Sequence, residues 1–257
     1  MGHNINAVIA LLKNKNHKVI GCEHINYHTI PKFSKLLMRA SYPHLDAVVV
    51  LSEQAKINIK PLNDNVGVIP NAIPFQTDKV ASLEKPTIIM VGRLSPEKGY
   101  ERVVPIAKYL QTSAPEWQIK IFGDGDYYDE LKLLYDSNDL KNVTIHKAVK
   151  DIKSEYLNSS ILLSTSHSEA MPMVFLEAMS CGLPVISYRH EGAEALIKDQ
   201  YNGFIVDTCD DLINKLTYLI QNKKIGKEIS KNCILFSKDY DLKEIHKKWK
   251  QLLDFIG

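Results

Sequence analysis

Short β-branched runs that alternate with helical stretches constrain this chain more than any other feature of it. Strand-like runs occupy 17–23, 46–52, 66–70, 86–92, 117–123, 142–146, 160–166, 183–187 and 202–206, as in "PTIIMVG" and "SILLSTS". Residues 31–42, 97–111, 126–138, 173–181 and 210–221 carry apolar side chains at helical spacing. That rhythm belongs to β-α units, which stack into parallel sheets with helices on their faces. The expected fold class is therefore α/β.

One stretch interrupts the rhythm. Residues 70–86, "PNAIPFQTDKVASLEKP", hold three prolines and no periodicity, which reads as a connection between two units. The expected organisation is a first unit over 1–75, a second over 76–240, and a closing amphipathic helix within 241–257 that could pack on either. Six of the nine strand-like runs fall in the second unit, enough for a complete doubly wound domain. The first opens on a helix and has three, few for a parallel sheet that must bury both faces.

Composition narrows the function classes. A formal charge of +2 over 257 residues gives no electrostatic argument for nucleic acid. The cations are nearly all Lys, so the four arginines, Arg39, Arg93, Arg102 and Arg189, each invite inspection. Cys22, Cys181, Cys209 and Cys233 form no C-x-x-C pair, so reduced thiols in a cytoplasmic protein are expected. The apolar runs are too short to span a bilayer, and the start is too polar for a signal peptide. The basic segment "KFSKLLMR" could touch anionic lipid, or be a solvated face.

Ligands of open α/β sheets sit at the carboxyl ends of strands, and three such ends stand out. After 86–91 comes "GRLSPEKG". Gly92 lets the chain turn, and Arg93 and Lys98 suit a pyrophosphate, Arg by paired hydrogen bonds and Lys as a point charge. The same loop can be read as a solvated helix start capped by Ser95 with Pro96 in the first turn. After 117–123 comes "DGDYYDELK". Asp124 and Asp126 imitate a D-x-D metal motif without further oxygen ligands in view, and Asp126 could instead cap the next helix while Gly123 and Gly125 shape the turn.

The third end is "SEAMPMVFLEAMSCGLPVIS", residues 168–187. Pro172 suits the first turn of a helix whose unpaired N–H groups, near Met173 and Val174, would favour an anion. Glu169 precedes that helix and Glu177 lies little more than a turn inside it. A bound nucleoside diphosphate sugar has hydroxyls on both sides of its pyrophosphate, which these two carboxylates could reach. They could equally be a helix-dipole carboxylate and a solvated one. A glycosidase pair would also use two carboxylates, but leaves Arg93 and Lys98 without a role.

Together these segments resemble the retaining GT-B glycosyltransferases of family 4. "GRLSPEKG" looks like the family's pyrophosphate motif, "IFGDGDYYDELK" like its glycine-turn strand end, "SEAMPMVFLEAMSCGLPVIS" like its E-x7-E segment, and "YNGFIV" like its Asn-Gly strand entry. The resemblance covers about residues 17–255, and it implies a GT-B fold with a complete C-terminal Rossmann-like domain and a partial N-terminal one. It further implies that Arg93 and Lys98 neutralise the pyrophosphate, with Gly92, Gly123, Met173 and Val174 lining it, that Glu177 binds the ribose and that Glu169 contacts the sugar. His24, in "KVIGCEHINYH", matches the family's histidine beside the transferred sugar, with His28 a neighbouring candidate. Lys147 and Ala148 stand where a glycine and an aromatic are commoner. The activity implied is hexosyl transfer from a nucleotide sugar, UDP-linked by expectation, to a saccharide or lipid-linked saccharide in envelope or capsule synthesis, without metal or other cofactor. The family's first hundred or so residues have no counterpart, so the expectations include a fragment, a mis-set start, a complementing chain, or a truncated donor-binding protein without catalysis. An epimerase on the same scaffold is a further alternative.

Overall fold

The computed structural model describes residues 2–14 and 16–257, with side chains from Asn4; Met1 and Lys15, within the expected first unit, lie outside the described residues. The chain forms two units. One contains the residues up to 72 together with 169–171 and 239–257, and the other contains 73–168 and 172–238.

The first unit runs α1 (Gly2–Leu11), β1 (Ile20–Glu23), α2 (Lys32–Ser41), β2 (Ala47–Val50), α3 (Glu53–Ile59) and β3 (Val66–Val68), and its parallel strands lie in the order β1-β2-β3. Alternation along β2 divides its core. Val48 and Val50 face Ala10, Met38 and Ile59 of the three helices. Val49 faces the other way, where Ile69, Ile245, Trp249 and Leu252 meet it. The C-terminal helix thus covers the second face of the first sheet. Ser52 caps α3 by accepting the Ala55 N–H at 3.1 Å, a bond worth about 1 kcal/mol.

The second unit runs β4 (Thr87–Val91), α4 (Val103–Ser113), β5 (Gln118–Phe122), α5 (Tyr128–Ser137), β6 (Val143–His146), α6 (Ile152–Leu157), β7 (Ile161–Ser164), α7 (Met173–Ser180), β8 (Val185–Tyr188), α8 (Glu191–Leu196), β9 (Gly203–Val206), α9 (Cys209–Gln221) and α10 (Lys223–Ser237). The C-terminal helix of the first unit is α11 (Leu242–Ile256). All pairings in the six-stranded sheet are parallel, in the order β6-β5-β4-β7-β8-β9. Every residue of β7 and β8 is buried, as a strand covered by helices on both faces must be. The order reverses between β4 and β7, and the crevice beyond their carboxyl ends is where such sheets bind ligands.

All nine strand-like runs are strands, and the fold class is α/β with parallel sheets. Two local expectations fail, and a long helix appears that the periodicity does not show. Residues 97–111 are not one helix: 3-10 turns at Pro96–Lys98 and Tyr100–Arg102 precede α4, because Gly99 adopts φ 65° between them. A Cβ there would lie 2.2 Å from the Thr165 carbonyl oxygen, so only glycine fits. Asp126 does not cap α5, whose N-cap is Tyr127 with no side-chain bond. Finally, α10 escaped the periodicity reading, because Gly226, Ser230, Cys233 and Ser237 occupy core-facing positions usually held by large apolar residues.

Candidate functional site

At the end of β4 the chain turns at Gly92, whose N–H donates to the Phe122 carbonyl at 3.1 Å while its own carbonyl accepts from the Tyr100 hydroxyl at 3.2 Å. Gly123 ends β5 beside it. A Cβ on Gly123 would fall 1.9 Å from the Gly92 oxygen, so the two strand ends can approach only without a side chain there. The expected cations follow directly. Arg93 is exposed and donates to Glu97 at 2.6 Å, a partner that the sequence reading passed over. The backbone N–H of Glu97 and the Arg93 guanidinium hold the Glu97 carboxyl below its usual range. Lys98 is half-buried, with its methylene stem passing beside Gly92.

This loop is fastened to the end of β7. The Thr165 hydroxyl donates to the Lys98 carbonyl at 3.0 Å, and the His167 N–H donates to the Glu97 carbonyl at 2.9 Å. Arg102 donates to the Thr165 carbonyl at 3.2 Å and lies 4.6 Å over the Tyr188 ring. The structure therefore brings the Arg93–Lys98 loop and the 165–167 segment together at the switch point of the sheet. Arg189 is held by Asp207 and Glu194, at 2.7 and 2.8 Å, and Arg39 is exposed on α2, so Arg93 is the arginine at this strand end.

The α7 helix begins at Met173 with Pro172 as N-cap and no side-chain capping bond, so the N–H groups of Met173 and Val174 stand in its first turn. Glu177 is the fifth residue of this helix and accepts from the Tyr156 hydroxyl at 2.9 Å through Oε2. Burial pushes the Glu177 carboxyl above its ordinary value, partly offset by that hydroxyl. Tyr156, at the far end of α6, is buried and its own ionisation is strongly suppressed by burial and by Glu177. Nothing in the sequence marks Tyr156, since a tyrosine on a short helix reads as core.

The remaining candidates lie elsewhere. Glu169 and His24 belong to the first unit. His24 is exposed just past β1, after the buried Glu23, whose Oε1 accepts from Asn6 at 2.7 Å and from the Tyr42 hydroxyl. His28 is exposed in a 3-10 turn, edge-on to Tyr27. Asp124 and Asp126 are exposed, and among the described residues no group of three or more His, Cys, Asp or Glu is placed to hold a metal ion. Lys147 and Ala148 lie exposed after β6.

A glycosyltransferase of Haemophilus influenzae is 30% identical over 81% of the chain, which spans 61% of that relative's length. A Campylobacter jejuni α-1,4-N-acetyl-D-galactosaminyltransferase acting on an undecaprenyl-diphosphate-linked glycan is 29% identical over 97% of the chain and 71% of its own. The crystal structure of Anabaena Alr3699/HepE in complex with UDP superposes with a TM-score of 0.84 at 19% identity, over 98% of this chain and 76% of that one, which shows a shared fold. The family model of glycosyl transferases group 1 matches residues 73–235, more than half of the chain. The chain belongs to the glycosyl transferases group 1 family.

Proposed function

We propose that this chain binds a UDP-sugar through residues 73–238 and transfers the hexose to a saccharide, free or lipid-linked, with retention of anomeric configuration, as family 4 enzymes do. The observation that carries the reading is the pair of cations, Arg93 and Lys98, on a loop fastened to β7 at the switch point of a doubly wound sheet. The undecaprenyl-diphosphate-linked substrate of the Campylobacter relative supports a lipid-linked acceptor, and the Anabaena complex supports UDP; a role in cell-envelope polysaccharide synthesis belongs to the same reading. A cytoplasmic site of action and peripheral membrane contact belong to the same proposal.

In this mechanism the bond between the anomeric carbon and the β-phosphate oxygen breaks, and a bond from the acceptor oxygen forms on the same face. The acceptor proton passes to the departing phosphate. Arg93 and Lys98 offset the charge that develops there, with the α7 N-terminus at Met173 and Val174 contributing its N–H groups. No metal ion or protein nucleophile is assigned. Glu177 holds the ribose hydroxyls, and His24 and Glu169 position the sugar. In a second reading, favoured by the first sheet's three strands, the chain binds donor and needs a complementing polypeptide for transfer.

Calorimetric titration with UDP and with GDP, in EDTA, tests the donor site. UDP is expected to bind, and Glu177→Ala to weaken it about 10- to 150-fold, the worth of a charge-assisted hydrogen bond. Binding or transfer that survives both Arg93→Ala and Lys98→Ala unchanged overturns the reading. Binding without transfer selects the second one.

A further inference from the structure

We propose that Tyr156 is a positioning residue for the donor's ribose: its hydroxyl, bonded to Oε2 of Glu177, fixes the carboxylate and leaves Oε1 for the ribose diol. The inference rests on the reading of Glu177 given above. Side chains of a helix lean toward its N-terminus, so the carboxyl of the fifth residue of α7 rises beside the first turn, where the Met173 and Val174 N–H groups stand. A glutamate side chain is flexible, and Tyr156 is what fixes this one. It reaches Glu177 from the end of α6, which packs against α7, and among the described residues it makes the one hydrogen bond of that carboxyl.

Stability alone does not account for the pair. A buried tyrosine hydroxyl needs an acceptor, and a backbone carbonyl meets that need without burying a charge, as the Tyr100 carbonyl does for Tyr135 at 2.8 Å. Tyr156 is fully buried, with its ring 6.5 Å from that of Phe75, yet its acceptor is a carboxylate whose ionised form burial disfavours. A half-buried carboxylate held on one oxygen suits a ligand that brings neighbouring hydroxyls. The bond also keeps Glu177 ionised, since it lowers a pKa that burial raises. Cys181, on the same helix, also faces Glu177, and burial pushes its thiol up to about 11; Lys153 of α6 bears on that thiol. Among the described residues, neither α10 nor β8 presents a charge to Glu177.

Calorimetric titration with UDP and with 2′,3′-dideoxy-UDP tests this, because the two share every phosphate and differ only in the ribose hydroxyls. Their affinity ratio isolates the contact. Tyr156→Phe keeps the ring and should lower the preference for UDP roughly 2- to 10-fold, the worth of one ordinary hydrogen bond, while dideoxy-UDP binds as before. In the native chain the preference should fall as pH drops through the raised Glu177 value. The variant lacks the bond that lowers that value, so its fall should begin at a higher pH. On a Glu177→Ala background, Tyr156→Phe should change the preference no further, because no carboxylate is left to hold. A preference lowered by Glu177→Ala but unchanged by Tyr156→Phe overturns this inference and leaves the donor-site reading standing. Equal weakening of both nucleotides, or an equal drop on the Ala background, also overturns it, since either marks a tyrosine that only supports the fold. If UDP does not bind, or Glu177→Ala leaves the preference as it was, the ribose role of Glu177 fails and this inference fails with it.

Discussion

Arg93 is held by a carboxylate four residues away, and that pairing has a measurable consequence. A pyrophosphate that takes the guanidinium must displace Glu97, whose carboxylate also repels it. Exposed pairs of this kind are worth about 0–1 kcal/mol, so the displacement is cheap but not free. Glu97→Gln should therefore tighten UDP binding up to about fivefold in calorimetry; weakened binding would mean that Glu97 holds Arg93 in its working position. Glu177 carries a different signature. Its folded-state pKa lies above the ordinary 4.5 because of burial, so its contribution to stability is complete below that pH and is lost as pH rises through the raised value. Thermal melts from about pH 4.5 to neutrality should show this loss in the native chain, and Glu177→Gln should flatten it. Arg93 and Lys98 could be picked out as candidates because cations beside glycines at a strand end stand out, and Glu177 because it follows Pro172 into a helix after a strand end. Glu97 and Tyr156 were not: a carboxylate near an arginine and a tyrosine within a helix have the same appearance wherever they occur.

At the scale of elements, strands were readable and some helices were not, for one physical reason. A strand buried on both faces is mostly apolar, so β4, β7 and β8 stand out in any register despite Thr87, Ser164 and Ser187. A helix shows only the stripe that packs, and α10 packs with small residues, so its pattern is faint. The destination of α11 was also hidden, since an amphipathic stripe fits any apolar surface; the structure seats it against Val49 of the first sheet and Ile69 just past β3. Ile245 is its most buried side chain, at 4% exposure. Ile245→Ala should cost about 2–5 kcal/mol of first-unit stability in denaturant unfolding, while UDP binding stays as it was. A loss of UDP affinity with no loss of stability would count against this assignment of α11.

For the whole molecule, two sheets in two separate units suggest two cooperative units. The chain order conceals this, because the last helix returns to the first unit after the second is complete. Calorimetric melting should accordingly resolve two transitions. A ligand bound only by native residues 73–238 stabilises only that unit, by about 2.7 kcal/mol at a hundred times its dissociation constant. For a domain of this size that is a rise of roughly 5–11 °C in one transition. Ile245→Ala should lower the other and leave the UDP-sensitive one in place. If UDP raises both transitions together, or the variant lowers both, the units melt as one, and the donor site is stabilised by the first sheet as well as by its own.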